Sequence, residues 1–354
     1  MPAVASLRAH YADAHIAWLV ERRARGALVG QPVVDEVIEF PRDALSASLR
    51  ALRLSALARE FARFARELRS RDFDLVVDFH AILKSGLLGW LSGAPERASY
   101  ARPFGRETSW LLANRRARIA TPSLSRYERN AALVQFLGIR RHREESVGLR
   151  VEPEALARMS RHQGDQARAV VHPGSSPGTP YKRYPAPGYA AVIRALAEQE
   201  GLRSWVAYGT AEGERELAER VAALAGDAAD VAPETPSLSD LAALFACARV
   251  FIGSDSGPLH VASLVGTPVV QLLGPTDPVE NEPYRGTPSR TLRVPVGCSP
   301  CRSGCADAPC MSLVSPERIV AAARELLTVA PPASRQRRLK SSTSSDGALR
   351  FVAS

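Results

Sequence analysis

The chain has 354 residues, of which 45% are apolar and 23% charged, and its net charge is +9. This length allows two domains with hydrophobic cores, and the composition excludes a fibrous or wholly disordered protein. No apolar run reaches the roughly 20 residues of a membrane-spanning helix, and residues 1–8 lack the pattern of a secretory signal. We therefore expect a cytoplasmic protein. Its charge suits anionic partners, although composition alone favours a solvated, arginine-rich surface as the explanation.

Short apolar runs alternate with helical patterns along the chain, which is typical of parallel sheets with crossover helices. The predicted strands cover residues 15–20, 33–40, 73–79, 167–172, 202–208, 250–252 and 269–273. The predicted helices cover residues 49–68, 130–137, 189–199, 238–248 and 316–329. A polar stretch, 140–166, is predicted to connect two domains, 1–145 and 146–330. The Ser-, Arg- and Pro-rich residues 331–354 are predicted to form a disordered tail.

The sharpest local signal follows the strand predicted near the middle of the second domain. Pro258 suits the first turn of a helix, and the free amides near Ser256 and Gly257 would form a phosphate site at the carboxyl end of the sheet. Asp255 can accept hydrogen bonds from sugar hydroxyls, and His260 lies on the same helical turn. Alone, Asp255 fits a helix N-cap and His260 a core histidine. Their combination with Gly257 and Pro258 favours a binding site.

Two further loops follow predicted strands of the second domain. Ser175 and Lys182 lie in a loop rich in Gly, Ser and Pro, where hydroxyls and a cation can bind a diphosphate. A polar loop with a solvated lysine fits the same residues. Glu212 lies in the next loop, where a carboxylate can accept both hydroxyls of a ribose. Glu212 and Glu214 also suit the first turn of a helix.

These loops resemble those of the lipopolysaccharide heptosyltransferases, glycosyltransferase family 9. The matching segments of the second domain are His172-Pro-Gly174, Tyr181-Lys-Arg183, Asp255-Ser-Gly-Pro-Leu-His260 and Gly274-Pro-Thr-Asp-Pro278. Those of the first domain are Asp78-Phe-His-Ala-Ile-Leu-Lys-Ser85, Arg106-Glu107, Asn114-Arg-Arg116 and Arg126-Tyr-Glu-Arg-Asn130. The similarity runs from about Leu7 to Leu327.

The resemblance implies an α/β protein with the GT-B fold, in which two Rossmann-like domains face each other across a cleft. It implies an inverting, metal-independent transfer of a sugar from a nucleotide, without a cofactor. The donor-binding residues would be Ser175, Lys182, Glu212, Asp255, Ser256, Gly257 and His260. The acceptor-binding residues would be the cations Lys84, Arg106, Arg115 and Arg116.

The implied donor is ADP-heptose, and the implied acceptor is the lipid A-linked core oligosaccharide at the inner face of the inner membrane, where the protein would bind peripherally. Another nucleotide sugar is the alternative donor. A nucleic-acid-binding protein is the competing class, but it would need basic residues interleaved with aromatic ones. Aromatic residues make up only 6% of the chain, and the basic residues are dispersed.

The family's general base is a carboxylate in a Gly-Asp loop after the first strand of the first domain. The sequence begins near the point where that loop ends, so we expect the first strand and the base loop to be missing. Asp78 is a weak candidate for the base, since an Asp on a buried strand is more often structural. A chain without the base loop is expected to bind donor and transfer sugar poorly, or to be an inactive donor-binding remnant.

Four cysteines lie close together near the end of the second domain: Cys298, Cys301, Cys305 and Cys310. Four thiolates at this spacing could bind a structural zinc ion. A reduced or partly disulfide-linked loop fits the same spacing. The sequence leaves both interpretations open.

Overall fold

The computed structural model describes residues 1–121, 123–142, 148–301, 304–328 and 350–353. The chain forms two compact units. The first comprises Met1–Arg143 and Lys340–Ser354, and the second comprises Glu144–Leu339. The predicted domain boundary, after residue 145, lies outside the described residues.

The first unit contains six α-helices among the residues that the structure describes. They are α1 (Pro2–His10), α2 (Arg22–Leu28), α3 (Arg42–Arg50), α4 (Leu54–Arg69), α5 (Leu83–Leu91) and α6 (Arg126–Phe136). Its strands before the second unit are β1 (His15–Glu21), β2 (Glu36–Phe40), β3 (Leu75–Val77), β4 (Glu96–Tyr100) and β5 (Arg115–Ala117).

The second unit repeats the alternation of strands and helices. Its strands are β6 (Arg168–His172), β7 (Arg203–Val206), β8 (Ala229–Val231), β9 (Val250–Ser254), β10 (Val269–Leu272) and β11 (Ser289–Leu292). Its helices are α7 (Pro153–Gln163), α8 (Ala186–Glu200), α9 (Glu214–Ala225), α10 (Leu238–Ala246), α11 (Gly257–Leu264), α12 (Pro309–Ser312) and α13 (Pro316–Leu327). In the described ranges, no helix is both long enough and apolar enough to cross a membrane.

A strand near the end of the sequence, β12 (Arg350–Ala353), belongs to the first sheet, whose order is β2-β1-β12-β3-β4-β5. The second sheet has the order β11-β10-β9-β6-β7-β8. Every strand pair in both sheets is parallel. The carboxyl ends of the strands in each sheet therefore lie along one edge, the edge at which open α/β sheets bind ligands.

The central strands of the second unit are continuous apolar runs in the sequence because they are buried in the structure. All residues of β6, β9 and β10 are buried, because helices cover both faces of a parallel sheet. Val171, Tyr189, Ile193 and Leu196 are fully buried in one cluster that joins β6 to α8. This packing fixes the positions of the loops that follow the strands.

Two predicted elements differ from the structure. The helix predicted over 49–68 is two helices, α3 and α4, because Leu52 adopts a left-handed conformation with φ 54°, which ends α3. The stretch predicted to be a connection contains α7. Pro153 begins that helix, and Ala155 and Met159, four residues apart, are both buried.

The prediction of a disordered tail over 331–354 is wrong at residues 350–353, which form β12. The rest of that tail lies outside the described residues. β12 lies between β1 and β3, at an interior position of the first sheet. β12 was not predicted because four residues are too few to form a recognisable strand pattern in a polar sequence. Its partner strands also lie far away in the chain.

Candidate active site

Four loops meet the carboxyl edge of the second sheet. They are residues 173–185 after β6, 207–213 after β7, 255–256 after β9 and 273–278 after β10. β6 pairs with β7 and with β9, and β9 pairs with β10, so the four loops are neighbours in space. The predicted donor-binding residues all lie in these loops or in the helix that begins at Gly257.

Asp255 is the point at which three of these loops join. Its Oδ2 lies 2.9 Å from Lys182 Nζ and accepts a hydrogen bond from Thr276 Oγ1 at 2.8 Å. Its Oδ1 lies 3.9 Å from His260 Nε2. The Asp255 side chain is only 7% exposed, so this ion pair is screened much less by solvent than a surface pair. The structure therefore brings together three predicted residues, Lys182, Asp255 and His260.

Ser256 and Gly257 form the start of α11 beside this ion pair. Ser256 is the N-cap residue, but its side chain makes no capping hydrogen bond. In the described part of the chain, its buried Oγ has no hydrogen-bond partner. A β-carbon added at Gly257 would meet no atom within 4 Å. An open space thus faces the first turn of α11, where backbone amides lack intrahelical acceptors.

Ser175 stabilises the loop after β6 from within. Its hydroxyl donates to the carbonyl of Thr179 at 2.9 Å and accepts a hydrogen bond from Arg183 Nε at 3.1 Å. The residue is buried. The loop is therefore held in a fixed shape, and Lys182 projects from it towards Asp255.

Glu214, rather than the predicted Glu212, is the buried carboxylate of the loop after β7. Glu212 is exposed, whereas Glu214 begins α9 and its Oε2 accepts a hydrogen bond from the Gly209 amide at 2.6 Å. A β-carbon at Gly174 would lie 2.9 Å from Glu214 Oε1, so this carboxylate also packs against the loop after β6. Gly213, with φ +77°, sets the start of the helix and leaves Glu212 outside it.

The cysteine loop packs beside the turn after β10. A β-carbon at Gly274 would come within 2.7 Å of Cys310 Sγ, and the amide of Cys301 donates to the carbonyl of Pro275. Cys310 is buried, and burial raises the pKa of its thiol. Cys298 and Cys305 are exposed. Among the described residues, no three potential ligands are arranged to hold a metal ion.

The first unit places Asp78 at the carboxyl end of β3 in a structural role. Its carboxylate accepts hydrogen bonds from the amides of His80 and Ala81 at 3.0 and 2.9 Å and from Ser85 Oγ at 3.0 Å. Asp78 is 4% exposed, and burial raises its pKa. These bonds hold the turn at Ala81, whose φ is 54°. The geometry makes Asp78 a brace for the turn rather than an available base.

Two of the predicted acceptor-binding cations lie near this carboxyl edge. Lys84 Nζ lies 2.9 Å from Oε1 of Glu21, the last residue of β1, and 4.3 Å from the centre of the Phe40 ring. Arg106 is exposed, and its amide donates to the carbonyl of Ala81.

The side chains of the other two cations turn towards the opposite edge of the first sheet. Arg115 Nη1 lies 2.7 Å from Oε2 of Glu96, the first residue of β4, and Arg116 Nε donates to the carbonyl of Ala113. The prediction of one basic face formed by all four cations is therefore wrong. The reason is that Arg115 pairs with Glu96, which lies at the amino-terminal end of the neighbouring strand β4, and the sequence does not show this pairing.

The family model described as glycosyltransferase family 9 (heptosyltransferase) matches residues 61–310. This match covers most of the chain and includes both the turn at Asp78 and the loops that meet at Asp255. The chain belongs to glycosyltransferase family 9.

Curated relatives of this family 9 glycosyltransferase are heptosyltransferases. The lipopolysaccharide core heptosyltransferase OpsX of Haemophilus influenzae is 23% identical over 79% of this chain and 76% of the relative. Lipopolysaccharide heptosyltransferase 1 of Pseudomonas aeruginosa is 29% identical over 68% of this chain and 65% of the relative.

The fold is shared with a solved structure, the Escherichia coli heptosyltransferase WaaC with ADP. The TM-score is 0.71 at 21% identity, and the match covers 92% of this chain and 94% of the other. The predicted GT-B fold class, with two Rossmann-like units, is confirmed.

Proposed function

We propose that this glycosyltransferase moves heptose from ADP-heptose to the inner core of lipopolysaccharide. The observation that carries the proposal is the meeting of three loops at Asp255, next to the open first turn of α11. Family membership supports the choice of donor and acceptor. The relatives are named as lipopolysaccharide heptosyltransferases, and the E. coli structure contains ADP.

The second unit is the donor-binding domain in this proposal. The diphosphate occupies the space in front of Gly257, where helix amides and the Lys182 ammonium provide positive charge. Ser256 Oγ is a further donor to a phosphate oxygen. Asp255 and His260 face the sugar, and Glu214 takes the ribose role that the sequence had assigned to Glu212.

The transfer is an inverting displacement at the anomeric carbon. A bond forms from an acceptor hydroxyl oxygen to that carbon, while the bond from the carbon to the β-phosphate oxygen breaks and ADP leaves. Negative charge grows on the leaving diphosphate, and Lys182 stabilises it without requiring a metal ion. The acceptor hydroxyl loses its proton to a base, and Asp78 is not that base, because three donors already bind its carboxylate.

The first unit is the acceptor-binding domain, with Lys84 and Arg106 at its carboxyl edge. Phosphate groups on the lipid-linked core oligosaccharide are the anions that these cations suit. The same charges favour peripheral binding at the inner face of the inner membrane. Such attraction weakens as salt rises.

A donor-selectivity assay tests the function. The purified chain is incubated with a heptose-free, lipid A-linked acceptor and either ADP-heptose or UDP- and GDP-hexoses, and the acceptor mass is measured. We expect slow heptose addition from ADP-heptose and no addition from the other nucleotide sugars. Transfer from another nucleotide sugar would show that ADP-heptose is not the donor. Binding of ADP-heptose without transfer would favour a donor-binding protein.

The Glu214 assignment is tested by two matched variants. Glu214→Gln keeps the acceptor for the Gly209 amide but removes the charge, so we expect ADP to bind about 10-fold more weakly. Glu212→Gln, which changes an exposed side chain two residues away, should leave ADP affinity unchanged. Isothermal titration calorimetry measures both, and the opposite ranking would restore Glu212 as the binding residue.

A further inference from the structure

The strand β12 occupies an interior position of the first sheet although it lies at the far end of the sequence. It pairs in parallel with β1, with His15 opposite Arg350 and Trp18 opposite Ala353. On its other side it pairs in parallel with β3, with Leu75 opposite Phe351. The second unit separates this strand in sequence from all other strands of its sheet.

Packing as well as pairing holds β12 in place. Val352 is 3% exposed and lies in a buried cluster with Ala17 on β1, Val76 on β3, and Phe64 and Leu68 on α4. The strand therefore contributes to the core that joins α4 to the sheet. A charged side chain at position 352 would be buried in this cluster without a partner.

The space that β12 fills is bounded by backbone on both sides. Neighbouring strands lie about 4.8 Å apart, so β1 and β3, with one strand between them, are separated by roughly 9.6 Å. They cannot pair with each other unless one half of the sheet moves. Without β12, each of these strands would present unpaired amides and carbonyls to the gap, and unpaired edges of this kind bind extended peptides.

We propose that the gap between β1 and β3 is a binding site for an extended, apolar peptide strand that pairs in parallel on both sides. Its ligand is the segment Arg350–Ala353 of this same chain. The segment binds through its backbone and through Val352, and so it remains bound when its covalent connection to the second unit is cut.

The test uses the full-length folded chain with a specific protease site inserted between residues 335 and 336. After cleavage, gel filtration separates the folded protein from any released peptide 336–354. We expect the peptide to stay with the protein and to be replaced slowly by an excess of a fluorescent copy. Release of the peptide from the cleaved, still folded protein would overturn the proposal.

Matched peptides establish where the retained segment binds. A fluorescent peptide carrying Val352→Asp should compete roughly 100-fold less well than the native sequence, because it buries an unpaired carboxylate. Val352→Ala is the milder variant and should compete several-fold less well. Equal competition by all three peptides would show binding outside the gap and would overturn the proposal.

Hydrogen exchange provides a readout at the gap itself. Amides of β1 and β3 should be protected in the cleaved complex. Full-length Val352→Ala, chosen because it retains an apolar side chain, should exchange these amides faster, and added native peptide should restore their protection. Exchange that is unaffected by both the variant and the peptide would contradict placement of the segment between these strands.

Discussion

Replacing Lys182 by alanine is expected to weaken ADP binding about 10- to 150-fold, the effect of losing a charged hydrogen bond worth about 1.5–3 kcal/mol. Lys182 contributes to the site twice. Its ammonium faces the proposed diphosphate position, and it neutralises Asp255, which is only 7% exposed. In the variant, the Asp255 carboxylate lies unneutralised beside the donor diphosphate. The transfer rate should therefore fall at least as much as the affinity for ADP. Calorimetry with ADP and initial transfer rates measure the two effects.

Lys84→Ala is the matched control for that variant. Lys84 also forms a 2.9 Å ion pair with a carboxylate, Glu21, but it belongs to the first unit. Its loss should leave ADP affinity unchanged and weaken acceptor binding. If Lys182→Ala binds ADP as tightly as the native chain, Lys182 does not contact the donor diphosphate.

Replacing Asp78 by alanine is expected to lower the free energy of unfolding by about 3–5 kcal/mol. The change removes the acceptor for two backbone amides and the Ser85 hydroxyl, at a position that is only 4% exposed. It also removes the brace for the left-handed residue Ala81. Asp78→Asn retains one acceptor oxygen and should cost less. Chemical denaturation of the three proteins measures the series.

Asp13→Ala is the control, since Asp13 is an exposed carboxylate of the same unit and its loss should change stability by less than about 0.5 kcal/mol. An Asp78→Asn protein with native stability and native ADP affinity but no transfer would contradict the structural role. That result would make Asp78 the base.

The donor loops were predictable because each follows an apolar run. β6, β9 and β10 are buried on both faces and so read as strands, and parallel strands bring the loops after them to one edge. Lys182 and Asp255 are 73 residues apart in the chain but occupy consecutive loops in space. The sequence pattern therefore predicted which residues meet, although it carried no information on their distances.

The remaining differences between prediction and structure have local or topological causes. Glu212 and Glu214 look equivalent until Gly213 sets the helix start between them. Arg115 was predicted to bind the acceptor because it lies in a segment that resembles the family. Its ion pair with Glu96 turns it away from Lys84. The position of β12 depends on pairing with strands at the opposite end of the sequence, which no local pattern encodes.

The same contrast applies to two edge strands that were not predicted. β5 has the sequence Arg-Arg-Ala and lies at the edge of its sheet, and β11 at the edge of the other sheet is mostly polar. Edge strands need only one buried face and one partner, so they lack the apolar run that identifies central strands.

A crystal structure of the full chain with ADP would show where the donor binds. We expect diphosphate oxygens within hydrogen-bonding distance of Lys182 Nζ and of the amide of Gly257, with the ribose hydroxyls on the Glu214 carboxylate. ADP bound away from the carboxyl edge of the second sheet, with the space before Gly257 still open, would contradict this expectation.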